Sequence, residues 1–308
     1  MTTPAELAPS PEAILADRSL YSPVEPKDPE FALKAIAELT ISGDNLPWTI
    51  TDKMHYAKVQ EKNPADKLKF IDSFSLRSVE WFVHQRATHY LERESRAFRF
   101  GHYSVPASLL EAAVGREQEI TKQTTPSRVV IPEPLDGLLA HLGGASPGLP
   151  INTTYIGNVA DNFGERLSFG SEVTLYGNAG KTVGAYSGQT VKTEAKPKLT
   201  VHGNVGDMAA WVANVLIMKV DGDAGDELAG HAGYNRMYHD PDGTFHTIVR
   251  VEGSAGKKVA DCAHGSLYVS CGALASLGKL EPGFIGAIEV GHAKVGQNHL
   301  VYENGKPV

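Results

Sequence analysis

The stretch VHGNVGDMAAWVANVLIMKVDGDAGDELAG, Val201–Gly230, holds two copies of one pattern. Each copy has a short β-branched run, a glycine, an Asn or Asp, and a second glycine three residues after the first. The first glycines, Gly203 and Gly222, are 19 residues apart. Working outward, the pattern recurs as GNVADNFG at Gly157, GNAGKTVG at Gly177, GSAGKKVA at Gly253, GALASLG at Gly272 and GHAKVG at Gly291. The repeat glycines are Gly157, Gly164, Gly177, Gly180, Gly184, Gly203, Gly206, Gly222, Gly225, Gly253, Gly256, Gly272, Gly278, Gly291 and Gly296. A period near 20 residues predicts coils of short strands that bury their apolar positions only by stacking. Val173 and Leu175, Leu199 and Val201, Met218 and Val220, and Val249 and Val251 alternate as inward-facing positions should. Glycine at the corner is expected to supply φ > 0 and close approach of backbones. Two longer intervals contain insertions after Gly188 and Gly233, and both start 11 residues past their unit's first glycine. Equal phase predicts that both loops leave from one edge of the stack.

The units GNAGKTVG and GDAGDELAG resemble the GXGXG repeat, in which Gly-x-x-Gly-x-x-x-Gly units recur along a right-handed β-helix. That repeat forms the C-terminal part of the glutamate synthase large subunit. It also forms stand-alone subunits of glutamate-synthase-like complexes, N-methylglutamate synthase among them. The C subunits of formylmethanofuran dehydrogenase and the related formyltransferase/hydrolase complex carry it too. The resemblance covers about Ile151 to Gly296. Ala210, Ala229 and Ala260 stand where the third glycine is expected, and Ala160 replaces a second glycine.

Before the repeat the texture differs. Residues 1–27 are expected to be a Pro-rich extended tail, because Pro4, Pro9, Pro11, Pro23 and Pro26 interrupt regular structure. Residues 28–148 read as a helical domain. Its segments are DPEFALKAIAEL, a longer one carrying the stripe Val79, Phe82, Val83, Ala87, Tyr90 and Leu91, then VPASLLEAAVGREQEITK, and EPLDGLLAHLGG stopped by Gly143 and Gly144. The expected class is thus a mainly helical N-terminal region followed by an all-β right-handed parallel β-helix (solenoid) over 149–300, with a tail at 301–308.

Candidate chemistry is sparse. Asp221, Asp223, Asp226 and Glu227 form an acidic turn, but a calcium loop needs glycine at its sixth position and glutamate at its twelfth. Here those are Asp226 and Ala232, so a structural turn is expected. His239, Asp240, Asp242 and His246 are the best metal-like cluster, although DPDG is also an ordinary turn. His84 and His89, five apart on a helix, do not share a face as a zinc pair would. Cys262 and Cys271 are the only cysteines, which excludes a disulfide framework. No P-loop or dinucleotide fingerprint is present. Lys181 and Lys257 share their phase with Asp207 and Asp226, and mixed signs at one corner argue against the carboxylate row of a stand-alone carbohydrate-active enzyme.

A net charge of −7 argues against general nucleic-acid binding. The start lacks a secretory signal and the most apolar run, Met208–Met218, is too short to span a bilayer, so a cytoplasmic protein is expected. Glutamate-synthase-type amidotransferases use an N-terminal cysteine, whereas this chain begins Met1-Thr2 and has no cysteine before Cys262. The resemblance therefore implies a scaffolding subunit with no catalytic residues of its own. Partner subunits would carry FMN and Fe–S centres and would bind through residues 1–148 and the loops 189–198 and 234–246. A C-type subunit of a formylmethanofuran dehydrogenase or formyltransferase/hydrolase complex is the alternative.

Overall fold

The computed structural model describes residues 9–27, 29, 75–88, 91, 105–121, 126–143, 150–188, 195–233, 246–281, 284–292, 297–303 and 306–307. Helices are α1 (Pro11–Ala16), α2 (Leu76–Gln85) and α3 (Val105–Thr121). Strands are β1 (Ser127–Val130), β2 (Asn152–Ile156), β3 (Glu172–Tyr176), β4 (Lys198–His202) and β5 (Leu216–Val220). They continue as β6 (Thr247–Ala255), β7 (Gly265–Leu274), β8 (Phe284–His292), β9 (Gln297–Glu303) and β10 (Lys306–Pro307). All ten form one sheet in chain order. β1 to β8 pair in parallel, and β9 and β10 are added antiparallel.

The register aligns the repeat. Tyr155, Leu175, Val201, Val220 and Val251 stand side by side, as do Val173, Leu199, Met218, Val249 and Val269. Both rows are buried and belong to the main apolar core. Between them run Thr154, Thr174, Thr200, Lys219, Arg250 and Ser270 on the outer face. Leu76, Val79, Phe82 and Val83 of α2 and Leu110 and Val114 of α3 join the same core, so the helices close one end of the stack.

The expected class is corrected. A β-helix would build two or three stacked sheets from each coil, after a separate helical region. The described strands make a single sheet, parallel from β1 to β8, with a few helices packed against it, an α/β type of arrangement, and its first strand comes from before residue 149. The reason lies past the strands. Met208, Ala210 and Val212 have positive φ, as do Glu227, Ala229 and His231, and Lys258, Ala260 and Cys262. Alternate left-handed residues cannot extend as a strand. Their N–H groups instead bond alternately to the next and the preceding coil: Met208 to Asp226 O (2.7 Å), Ala210 to Val183 O (2.7 Å), Val212 to Gly230 O (2.9 Å). Elsewhere only single bridges form, such as Ala179 to Val205 to Ala224 to Ala255. The glycine rhythm reports the sequence distance between neighbouring strands; it does not report how much of each coil is strand.

Other expectations also change. The segment expected to be an extended tail contains α1. Ser10 caps it, its Oγ accepting from Ala13 N at 3.2 Å, and Pro11 suits the first helical position rather than blocking it. Ile14 packs with Val130 and Ile156, and Arg18 donates to Ile131 O (3.2 Å), Ile156 O (2.9 Å) and Asp136 Oδ1 (2.9 Å). The described part of EPLDGLLAHLGG, up to Gly143, forms a 3-10 turn at Glu133–Leu135 and then joins the first coil, Gly137 N bonding to Asn158 O and His141 N to Asp161 O; Gly144 lies outside the described residues. The expected tail at 301–308 includes residues of β9 and β10. Leu91 is exposed rather than on the buried stripe. Apart from Pro29, the helix expected at 28–39, most of its neighbour before Ser75, and His89 and Tyr90 lie outside the described residues.

Candidate functional site

The acidic turn is built from hydrogen bonds between coils. The Asn or Asp after the first glycine at 158, 178, 204 and 223, preceded by Asp136 in the first coil, accepts the backbone N–H of its counterpart in the next coil. Asp136 Oδ1 takes Asn158 N (2.7 Å), Asn158 Oδ1 takes Asn178 N (2.8 Å), and Asn178 Oδ1 takes Asn204 N (2.8 Å). Asn204 Oδ1 takes Asp223 N (2.8 Å) and Asp223 Oδ1 takes Ser254 N (2.7 Å). A second row runs from the aspartates three residues further on, Asp161 after Ala160 and Asp207 and Asp226 after second glycines: Asp161 to Lys181 N (2.7 Å), Asp207 to Asp226 N (3.0 Å), Asp226 to Lys257 N (2.7 Å). The remaining acids are paired, Asp221 with His202 Nδ1 (2.6 Å) and Lys219 (2.9 Å), and Glu227 with Lys258 (3.3 Å). Burial is the largest single influence on the Asp221 carboxyl and raises it, but Lys219 and His202 together outweigh burial and hold its pKa below the ordinary value.

The same geometry explains the glycines. A Cβ on Gly222 would strike Asn204 Oδ1, one on Gly253 would strike Asp223 Oδ1, and one on Gly256 would strike Asp226 Oδ1. Glycine and the Asx residue of the preceding coil are thus one device. Gly222, Gly253 and Gly256 do not have positive φ; among the first glycines Gly157 and Gly177 do, and the third position, Gly164, Gly184, Ala210, Ala229 and Ala260, shares it. The three alanines adopt the left-handed region at a cost of about 1 kcal/mol each.

An Asn can replace an Asp in this ladder, since Asn158, Asn178 and Asn204 already serve. Asp223→Asn is therefore expected to change stability by less than about 0.5 kcal/mol, and Asp223→Ala to lose about 1 kcal/mol. Urea unfolding of the two variants measures the difference; equal losses would mean that the side-chain charge matters and the hydrogen bond does not.

The other candidates do not converge. Among the described residues no group of three or more His, Cys, Asp or Glu side chains is placed to hold a metal ion. His239, Asp240, Asp242 and Gly296 lie outside the described residues; His246 is buried, its N–H on Ser266 Oγ at 3.3 Å. Burial pushes the Cys271 thiol up to about 11, and burial with Asp261 and Glu281 nearby raises that of Cys262. Neither is poised as a nucleophile. Insertion residues 189–194 and 234–245 lie outside the described residues, but Gly188 and Gly233 share one conformation, φ 74° and 72°.

Gly253, Gly272 and Gly291 lie inside β6, β7 and β8 rather than at turns. On the outer face Gly272 and Gly291 leave an open depression of about 260 Å³, bordered by Arg250, Glu252, Tyr268 and Ser270. Arg250 stands over the Tyr268 ring, and the Tyr268 hydroxyl donates to Glu289 at 2.7 Å.

A polar set at the helical end is absent from the sequence reading. Glu111 Oε1 accepts from Gly143 N (2.6 Å) and from the Tyr155 hydroxyl (2.7 Å). Gln118 joins Ser127 Oγ (2.6 Å) and Asn152 N (3.0 Å). Glu80 Oε1 accepts from Val130 N (2.7 Å) and Oε2 from the Tyr21 hydroxyl (2.5 Å). Burial raises both glutamates to about 7. The available signal was position: Glu80 falls between Leu76 and Val83, and Glu111 between Ala107 and Val114, on the apolar faces of their helices.

Compared with protein-family models, curated proteins and solved structures, the chain finds no match. No helix among the described residues is long and apolar enough to cross a membrane.

Proposed function

We propose that this chain is a non-catalytic structural subunit of a multi-subunit cytoplasmic enzyme of the glutamate-synthase-like kind. The observation that carries the reading is the use made of the acidic side chains of the repeat. Asp136, Asp161, Asp207, Asp223 and Asp226 each accept a backbone N–H of the next coil, so they hold the stack together rather than face a substrate. The Gly-x-x-Gly units that resemble the GXGXG repeat support the same reading. Partner subunits would supply the amidotransferase and flavin chemistry, with FMN and Fe–S centres, and would bind residues 1–148 and the loops 189–198 and 234–246.

The purified chain is expected to show neither glutaminase nor flavin-dependent turnover. Native mass measurement of the complex captured on the tagged chain is expected to find an amidotransferase and a flavoprotein beside it. Robust turnover by the isolated chain would overturn the proposal. A formyltransferase in the captured complex would move the assignment to a one-carbon complex.

A further inference from the structure

Among the described residues β1 is the first strand of the sheet, and its far side has no strand neighbour. α2 lies there instead. Glu80 and His84 are four residues apart, so they project from one face of the helix. Glu80 Oε1 accepts from Val130 N at 2.7 Å, and His84 Nε2 stands 2.8 Å from Val130 O. A carbonyl only accepts, so His84 carries a proton on Nε2. The two side chains therefore give Val130 the pair of hydrogen bonds that a neighbouring strand would give. Glu80 is 1% exposed, and His84 is partly buried.

We propose that Glu80 and His84 form a proton-compensated clasp, both neutral while α2 lies on β1 and both charged once it lifts into water. Glu80 then gives up the proton that His84 takes up, and the attachment changes little with pH while the two exchanges balance.

Burial drives both groups toward neutrality when docked, raising the carboxyl to about 7 and lowering the imidazole below its ordinary 6.5. The hydrogen bonds to Glu80 from Tyr21 and Val130 favour its charged form but do not outweigh burial. The charged and titratable groups facing the pair come from every element around it. They are Arg77 on α2, Tyr21 and Arg18 on the N-terminal segment, Arg128 on β1 and Glu117 on α3. Arg77 lowers the Glu80 pKa and Glu117 raises it, while Arg18 lowers that of His84. A raised carboxyl stabilises docking below about 4.5, and that advantage is lost as pH rises to about 7. A lowered imidazole does the opposite, costing docking strength as pH falls below 6.5. The opposing slopes cancel just below 6.5.

Hydrogen exchange of the Val130 amide in the full chain tests this, expressed as protection relative to the free-peptide rate, with the Val201 amide as internal reference. Wild type is expected to keep nearly constant Val130 protection just below pH 6.5. Glu80→Gln should make it rise with pH and His84→Asn should make it fall, each by up to about tenfold per unit. Parallel profiles in all three proteins would overturn the proposal, as would a wild-type slope as steep as either variant's. Should a variant also lose Val201 protection, direct NMR titration of wild type decides. A Glu80 carboxyl titrating above its ordinary value together with a His84 imidazole titrating below its own supports the clasp; either one at or on the other side of its ordinary value overturns it.

Discussion

Gly203→Val is expected to lose about 3–5 kcal/mol of stability, enough to leave a marginally stable chain largely unfolded. Gly203 does not have a positive φ, so the cost is not backbone strain of the left-handed kind. Its Cβ would lie against the carbonyl oxygen of Gly177, backbone on backbone, with no flexible side chain to move aside. Displacing that coil would also break the bond from Asn204 N to Asn178 Oδ1. Alanine at 203 should fail nearly as badly, because the first carbon is the one that collides. The control is Gly115→Ala in α3, where an added Cβ meets nothing within 4 Å. That change is expected to stabilise by about 0.5–1 kcal/mol through helix propensity. Thermal unfolding of the variants measures both; Gly203→Ala near wild type would mean that the coils are not in backbone contact there.

The second large effect is electrostatic. Glu111 faces only Gly143 N and the Tyr155 hydroxyl among its resolved partners, and burial raises its carboxyl to about 7. The folded protein therefore holds a proton that the unfolded chain releases near its ordinary value of 4.5. The contribution of Glu111 to stability is greatest below 4.5 and falls as pH rises to about 7, by about 1.4 kcal/mol per unit and about 3 kcal/mol in all. Above that the loss is complete and the curve flattens. Both hydrogen bonds end on Oε1, so Glu111→Gln keeps the two acceptor contacts and removes the titration. Urea unfolding across this range is expected to show the variant gaining on wild type as pH rises. A constant difference between them would mean that Glu111 is ionised in the folded protein.

The spacing of the repeat was legible because identical small residues must stand over one another. The intervals between first glycines reappear as strand register: Glu172 beside Lys198, Lys198 beside Ile217, Leu216 beside Thr247. The role of the acidic turn was legible too, since Asn, Asp and Ser exchange at one phase. What each coil does after its strand was hidden. Met208, Glu227 and Lys258 have nothing in common as residue types, yet all take φ near 60°. Hydrogen bonding between coils imposes that conformation, and no local propensity announces it. β1 was hidden for a related reason, as SRVVIPEP has Ile131 where the other units have their first glycine. Glu80 and Glu111 were overlooked because a charged residue in a helix ordinarily faces water, and their partners lie far away in sequence.

Among the described residues the parallel part of the sheet is bounded at both ends. Side chains of α2 and α3 close it at β1, and the antiparallel β9 and β10 turn it back after β8. Between those stops lie seven parallel steps of about 4.8 Å, some 34 Å in all. The molecule is therefore a gauge whose length changes only in whole divisions. Removing one coil would bring whatever is fastened at the two ends closer by one division while leaving every other rung in register. Tension applied along the axis would load the rungs in series, so the stack would open by single divisions rather than stretch.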